Sequence, residues 1–131
     1  MEYGLTHLLL IALGGGLGSM ARAGLSGLIN RHGHSAWGTF VVNLSGGFLI
    51  GLGYGAFQGQ LAAPASAPLA WEVLAIGLLG GYTTVSSFAL QTLELARAGA
   101  VRAAAANALG SVLLCPLAAA FGVGLMALAG G

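Results

Sequence analysis

Four long apolar segments, separated by short polar connections, account for most of the chain. A helix that crosses a bilayer needs about 20 predominantly apolar residues, and each of these segments is long enough. The pattern therefore predicts an all-α integral membrane protein with a single four-helix domain over residues 1–131. The predicted spans are approximately 3–28, 37–57, 71–96 and 102–128.

The composition agrees with a membrane location. Hydrophobic residues make up 57% of the chain and charged residues only 5%, whereas a soluble domain carries about 25% charged residues. The formal net charge of +1 provides no basic surface of the kind that binds nucleic acid. We therefore expect a multi-pass protein of the cell inner membrane or plasma membrane, with no nucleic-acid partner.

Glycines recur four residues apart on two of the spans. The first span carries Gly14 and Gly18, and the second carries Gly47, Gly51 and Gly55. In membranes, small residues at this spacing allow helix backbones to approach closely. We interpret both stripes as helix-packing faces.

The third span contains a polar stretch from Gly77 to Gln91 in otherwise apolar sequence. Polar groups at membrane depth are costly and mark ion or substrate pathways. The adjacent Gly80 and Gly81 could break the helix, so we expect the break between Gly80 and Thr83, with unwound carbonyls that form a cation site.

Neutral hydrogen-bonding groups occur on three spans, and together they suit a small ion that exchanges water for hydroxyl and amide contacts. The alternative, that they only join helices, is favoured for any one of them but not for the whole set. The set comprises Asn43, Ser45, Thr83, Thr84, Ser86, Ser87, Asn107 and Ser111.

The arginines are unevenly distributed. Arg31, Arg97 and Arg102 lie in the first and third connections, and Arg22 leans to the same side. The positive-inside rule then predicts that both termini lie outside. Taken alone, Arg22 is predicted to extend from the end of its span to the interface, and the alternative is a fixed charge at the mouth of an anion pathway.

The acidic residues argue against other functions. Glu2, Glu72 and Glu94 all fall near predicted span ends, whereas a proton-coupled exporter needs a titrating group inside the membrane. No nucleophile has a general base beside it, so we predict no enzyme. Two alternatives to a channel stay open: a small dual-topology exporter of the multidrug type, and a non-conducting membrane assembly subunit.

Three motifs together resemble those of the Fluc (CrcB) fluoride channels. Residues 80–88 are similar to the family signature, in which a Thr-Thr-Phe-Ser-Thr-Phe run follows a glycine-rich break. Residues 37–46 are similar to the second-span motif, and residues 14–22 to the first-span motif. Length, span count and motif order match over essentially the whole chain.

This resemblance implies passive export of fluoride, which reduces its toxicity, by an antiparallel dual-topology dimer whose third helix is broken mid-membrane. It implies two fluoride pathways and a central structural Na⁺ held by the backbone carbonyls of Gly80 and Thr83 from both subunits. The implied fluoride pathway comprises Asn43, Phe88, Ser111, Thr39, Ser86, Ser87 and Arg22.

The chain departs from the family pattern at three positions. Val85 replaces the first signature phenylalanine, Gln91 replaces a usual glutamate, and Asn107 stands where tyrosine is frequent. We expect conduction to persist, with a rate and selectivity that depend on these changes. The arginine asymmetry favours one orientation, so a heterodimer with an oppositely oriented paralogue is the alternative to the expected homodimer.

Overall fold

The computed structural model describes residues 4–61 and 67–130, and the regular structure within these ranges is helical. Glu2 and the predicted start of the first span at residue 3 lie outside the described residues. The third span is composite. The elements are α1 (Leu5–Asn30), α2 (Ser35–Leu61), α3 (Leu69–Glu72), a π-helix (Val73–Leu79), α4 (Gly80–Tyr82), α5 (Val85–Arg97) and α6 (Val101–Leu128).

Within the described ranges, four helical segments are long and apolar enough to cross a membrane: Leu5–Asn30, Ser35–Leu61, Leu69–Arg97 and Val101–Leu128. Large apolar side chains on all four of them are exposed. Among the described residues, the buried apolar side chains are few, and Leu79 is the one large residue beside Ala36, Val42 and Ala104. This distribution suits a bilayer, which solvates apolar side chains, and it confirms the predicted all-helical class with four spans.

The glycine stripe of α1 packs against the third span. A β-carbon on Gly14 would lie 3.1 Å from the carbonyl oxygen of Val73, and one on Gly18 would overlap the carbonyl oxygen of Leu78. Because the contact positions increase together along both segments, α1 and the third span run parallel. The predicted packing role of this stripe is confirmed.

The stripe on α2 packs against α6 in the same way. A β-carbon on Gly47 would lie 2.8 Å from the carbonyl oxygen of Cys115, and one on Gly51 would overlap the carbonyl oxygen of Ala119. Gly55 continues the contact one turn further along. The two helices are therefore parallel and in close backbone contact, as the sequence predicted.

The parallel pairing places the first and third connections at the same end of the bundle. Arg31 follows α1, and Arg97 and Arg102 flank the connection between α5 and α6. Both connections are exposed. The basic residues therefore form one polar end of the molecule.

Replacing Gly18 with alanine is expected to lower the thermal unfolding midpoint of the protein in detergent. The added methyl group would overlap the Leu78 carbonyl oxygen and lie 2.8 Å from the Tyr82 nitrogen, and such overpacking costs about 1–3 kcal/mol. Gly16→Ala is the matched control, because Gly16 lies on the same helix and no atom lies within 4 Å of its β-carbon position. Equal midpoints for the two variants would contradict this packing.

Candidate functional site

The third span is irregular around its centre. After the π-helix and α4, the backbone of Thr83 (φ −83°, ψ 160°) and Thr84 (φ −153°, ψ 125°) is extended. Helical structure resumes at Val85. Two consecutive extended residues interrupt the helical hydrogen-bond ladder, so backbone groups around Thr83 and Thr84 need other partners.

The extended residues overlap the predicted break, Gly80 to Thr83, only at Thr83. Gly80 is helical (φ −62°, ψ −39°), and α4 continues through Tyr82. Gly81 instead serves packing, because any side chain there would overlap the carbonyl oxygen of Gly15 on α1. Close contact between two helices has here outweighed the low helix propensity of glycine.

Thr84 caps the helix that follows. Its Oγ1 accepts a hydrogen bond from the Ser87 backbone N–H at 3.2 Å, as a threonine N-cap does. The hydroxyls of Ser86 and Ser87 lie 3.1 and 3.3 Å from the same oxygen. Both predicted pathway serines are therefore engaged in this cap.

Asn43 on α2 holds the extended backbone directly. Its Nδ2 donates to the Thr84 carbonyl at 2.8 Å, and its Oδ1 accepts from the Thr84 N–H, also at 2.8 Å. In a continuous α-helix that N–H would bond to the Gly80 carbonyl. Asn43 thus replaces the helical partner, which diverts the Thr84 N–H away from Gly80.

Tyr82, the last residue of α4, bonds to α2 on the other side of the interruption. Ser45 Oγ donates to the Val42 carbonyl at 3.1 Å and lies 2.9 Å from the Tyr82 hydroxyl, so the phenol is the donor in that second bond. Ser19 on α1 donates to the Gly81 carbonyl at 3.3 Å. The neighbouring helices α1 and α2 therefore hold the two residues that precede the extended segment.

An open cavity of about 760 Å³ lies beside the extended residues, between α2, the third span and α6. We call it the first cavity. Among the described residues, those that line it carry no formal charge, and the polar members and the aromatic ring are close to the Thr83–Thr84 segment. Those used below are Asn43, Gly80, Thr83, Thr84, Val85, Phe88 and Ser111.

Ser111 is the least satisfied polar residue of the first cavity. Its side chain is 8% exposed, and its Oγ has no hydrogen-bond partner within the described part of the chain. A buried hydroxyl without a partner costs free energy. Ser111 therefore has an O–H donor without a partner, and the residue lines the first cavity together with Phe88.

The structure places the remaining predicted pathway residues away from the first cavity. Thr39 is buried one turn before Asn43 and does not line it. Arg22 is half-buried on α1 and does not line it either. Of the three positions that depart from the family pattern, Val85 lines the first cavity and Asn107 does not.

Asn107 lines a different cavity of about 420 Å³, the second cavity, between α2, α5 and α6. Its Nδ2 donates to Thr92 Oγ1 at 2.8 Å, and the Thr92 hydroxyl donates to the Phe88 carbonyl at 2.8 Å. Gln91, the third departure, has a buried Oε1 with no hydrogen-bond partner among the described residues. Thr92 was not among the predicted site residues, although its position one turn after Phe88 was a usable signal.

Glu72 is a buried carboxyl group near one end of the third span. It lies near the start of the third span, as predicted, but its side chain is only 5% exposed, and Oε2 has no hydrogen-bond partner in the described part of the chain. The sequence position of Glu72 near a span end did not reveal that its side chain is buried. It is buried because α1 and α2 extend alongside this end of the third span.

The fold and the site define a four-span helical membrane protein in which neutral polar groups and one aromatic ring surround an interrupted helix. Such an arrangement suits passage of a small ion. Comparison with known proteins then gives the family. The chain belongs to the CrcB-like protein family (Camphor Resistance, CrcB), whose model matches residues 9–123.

Individual relatives agree with this assignment. The chain is 47% identical over 118 residues to fluoride-specific ion channel FluC 3 of Brucella suis biovar 1, with 88% of each chain covered. It is 45% identical over 132 residues to fluoride-specific ion channel FluC of Opitutus terrae, covering 93% of this chain and 96% of the relative.

A third relative is fluoride-specific ion channel FluC of Methylobacterium radiotolerans, 46% identical over 120 residues, with 89% of this chain and 82% of the relative covered. These findings confirm the resemblance read from the motifs. They also agree with a multi-pass membrane protein that is not an enzyme, since the relatives are named as ion channels.

Proposed function

We propose that this protein is a channel for passive movement of fluoride across the inner or plasma membrane of the cell. The observation that carries the proposal is the first cavity, which brings together Asn43, Phe88 and the uncommitted hydroxyl of Ser111. The names of the relatives support fluoride as the ion. A passive pathway that lets fluoride leave the cell would lower its toxicity.

The chemistry of the first cavity suits a small anion. Fluoride accepts strong hydrogen bonds, and the Ser111 hydroxyl is free to donate one. The edge of an aromatic ring carries positive partial charge, so Phe88 can face an anion edge-on. Since no cationic side chain lines the first cavity in the described part of the chain, a bound anion would not be held by a full opposite charge.

Fluoride efflux from liposomes that contain the purified protein tests the proposal. We expect fluoride efflux down its own gradient, independent of any proton gradient, and much slower chloride efflux in a parallel assay. Efflux that requires a proton gradient would instead support a multidrug-type exporter. No fluoride efflux at all would defeat the channel and leave the assembly subunit.

The dimer is the second part of the proposal. The first cavity is open, and Val85 on its rim is 79% exposed. Polar backbone at membrane depth is tolerated only where protein or water covers it. A second, antiparallel copy would cover this face and enclose the two interrupted helices mid-membrane.

The arginine asymmetry keeps a second assembly open. Arg31, Arg97 and Arg102 share one end of the bundle, which favours one orientation in the membrane. An oppositely oriented paralogue would then complete the pair. Crosslinking of the chain expressed alone distinguishes the two assemblies: efficient antiparallel self-dimers support the homodimer and exclude a need for the paralogue.

The backbone around the interruption fits a structural Na⁺. The carbonyls of Gly80 and Thr83 would hold it, because the Thr84 N–H that would bond to the Gly80 carbonyl in a helix donates to Asn43 instead. Oxygen atoms, backbone carbonyls among them, are the ligands that hard cations prefer, and the C-terminus of α4 adds partial negative charge. Bound there, Na⁺ would supply positive charge that binds the interrupted helices of two subunits together.

Removing Na⁺ is therefore expected to lower the thermal unfolding midpoint of the detergent-solubilised protein. The stabilisation by a bound ligand is about 2.7 kcal/mol at 100 times its dissociation constant. Midpoints are compared in sodium chloride and in N-methyl-D-glucamine chloride at equal ionic strength. Identical midpoints at every concentration would contradict a structural Na⁺.

A further inference from the structure

A hydrogen-bonded pair joins α5 to α6 outside the first cavity. Asn107 Nδ2 donates to Thr92 Oγ1 at 2.8 Å, and the Thr92 hydroxyl proton goes to the Phe88 carbonyl at 2.8 Å. In the part of the chain that the structure describes, this is the only side-chain hydrogen bond between these two helices. The Thr92 hydroxyl therefore acts as donor and acceptor at once.

On each helix, the residue of the pair lies one turn away from a residue that lines the first cavity. Thr92 lies four residues after Phe88, and Asn107 lies four residues before Ser111. Residues four apart on a helix lie on the same face, one above the other. The bond therefore fixes the relative height of the two turns that carry Phe88 and Ser111.

The pair also lies close in sequence to residues that line each of the two cavities. The first cavity is lined by Phe88 on α5 and by α6 from Ser111 onwards. The second is lined by Leu95 on α5 and by α6 residues that include Asn107. Thr92 falls between Phe88 and Leu95 along α5, and its partner Asn107 lines the second cavity.

We propose that Thr92 and Asn107 are a positioning pair for the anion pathway, an inference that rests on the proposed function. The pair holds α5 against α6 so that Phe88 and Ser111 face the same ion. With Phe88 and Ser111 held at this spacing, the pathway favours fluoride over larger anions. Asn107, a departure from the family pattern, thereby has a defined task in this chain.

The test uses the full-length protein in liposomes, with fluoride and chloride efflux measured per folded protein. Thr92→Val keeps the shape of threonine but has no hydroxyl, and Asn107→Ala removes the donor. Each is expected to lower the fluoride-to-chloride efflux ratio about threefold to tenfold. This factor corresponds to the loss of one interhelical hydrogen bond in a membrane protein.

Two further variants distinguish positioning from general stability. Thr92→Ser keeps the hydroxyl and is expected to retain a ratio close to that of the wild type. The double variant of Thr92→Val with Asn107→Ala is expected to match the single variants, because the two residues share one bond. Thr6→Val, on the exposed start of α1, is the matched control for the substitution itself.

The outcomes separate this inference from the proposed function. Wild-type protein without fluoride efflux overturns the proposed function and the inference with it. Wild-type efflux combined with an unchanged ratio in Thr92→Val overturns the inference alone. So do additive effects of the two substitutions, or a Thr92→Ser variant as impaired as Thr92→Val.

Discussion

Fluoride efflux is expected to fall about tenfold to a hundredfold when Asn43 is replaced by aspartate, because a buried polar group that loses its partner costs about 1–3 kcal/mol. The wild-type amide donates to the Thr84 carbonyl and accepts from the Thr84 N–H. A carboxylate can still accept, but its second oxygen would face the Thr84 carbonyl and repel it. The new negative charge would also oppose an anion in the first cavity.

The effect of charge is separated from that of hydrogen bonding by Asn43→Leu, which is uncharged and removes both bonds to Thr84. We expect it to reduce efflux in the same direction. Asn30→Asp is the matched control, since the Asn30 Oδ1 accepts from the Gly38 N–H at 3.1 Å and aspartate preserves that bond outside the first cavity. Wild-type efflux from both Asn43 variants would contradict this role of Asn43.

Replacing Phe88 with leucine is expected to reduce fluoride efflux about twofold to tenfold, since it removes the ring edge that can face an anion, and edge contacts within aromatic pairs are worth about 0.5–1.5 kcal/mol. Leucine keeps an apolar side chain on the wall of the first cavity, so the loss reports on the ring and not on an emptied space. Efflux of fluoride and chloride from liposomes is the measurement, with the amount of folded protein equalised.

Phe121→Leu provides the control for the loss of a ring as such. Phe121 is 62% exposed and stacks on Phe48 with ring centroids 5.9 Å apart. It lines a groove between α2 and α6 that is separate from the first cavity. If both leucine variants conduct equally, the assignment of Phe88 to the anion wall fails while the channel itself stands.

The interruption of the third span shows why part of the site could not be predicted. Local propensity pointed to Gly80 and Gly81, because glycine weakens helices. The extended residues are instead Thr83 and Thr84, since Gly81 is packed in helical form against Gly15 and Thr84 is a good helix N-cap. Whether the glycines or the threonines interrupt the helix depends on the contact of Gly81 with α1, which belongs to another span.

The hydrogen-bond partners of the polar residues could not be predicted from the sequence either. Asn43 was selected correctly as a polar residue in a span, but its two bonds to Thr84 join positions 41 apart. Asn107 was noted only as a departure, and its bond to Thr92 needs α5 and α6 to be adjacent. A hydroxyl or amide has several equivalent ways to be satisfied, and only the helix arrangement selects one.

The sequence by itself determined the membrane class, the four spans, the glycine packing faces and the family, because apolar length, residue size and motif order are local properties of the chain. The tertiary structure decided which polar groups are satisfied and which are not. It engaged Asn43 with Thr84, placed Ser86 and Ser87 in a helix cap, and left the hydroxyl of Ser111 without a partner in the first cavity. The physical reason is that hydrogen bonds between helices depend on register and distance, which close contacts of glycine with backbone carbonyls establish only in the folded bundle.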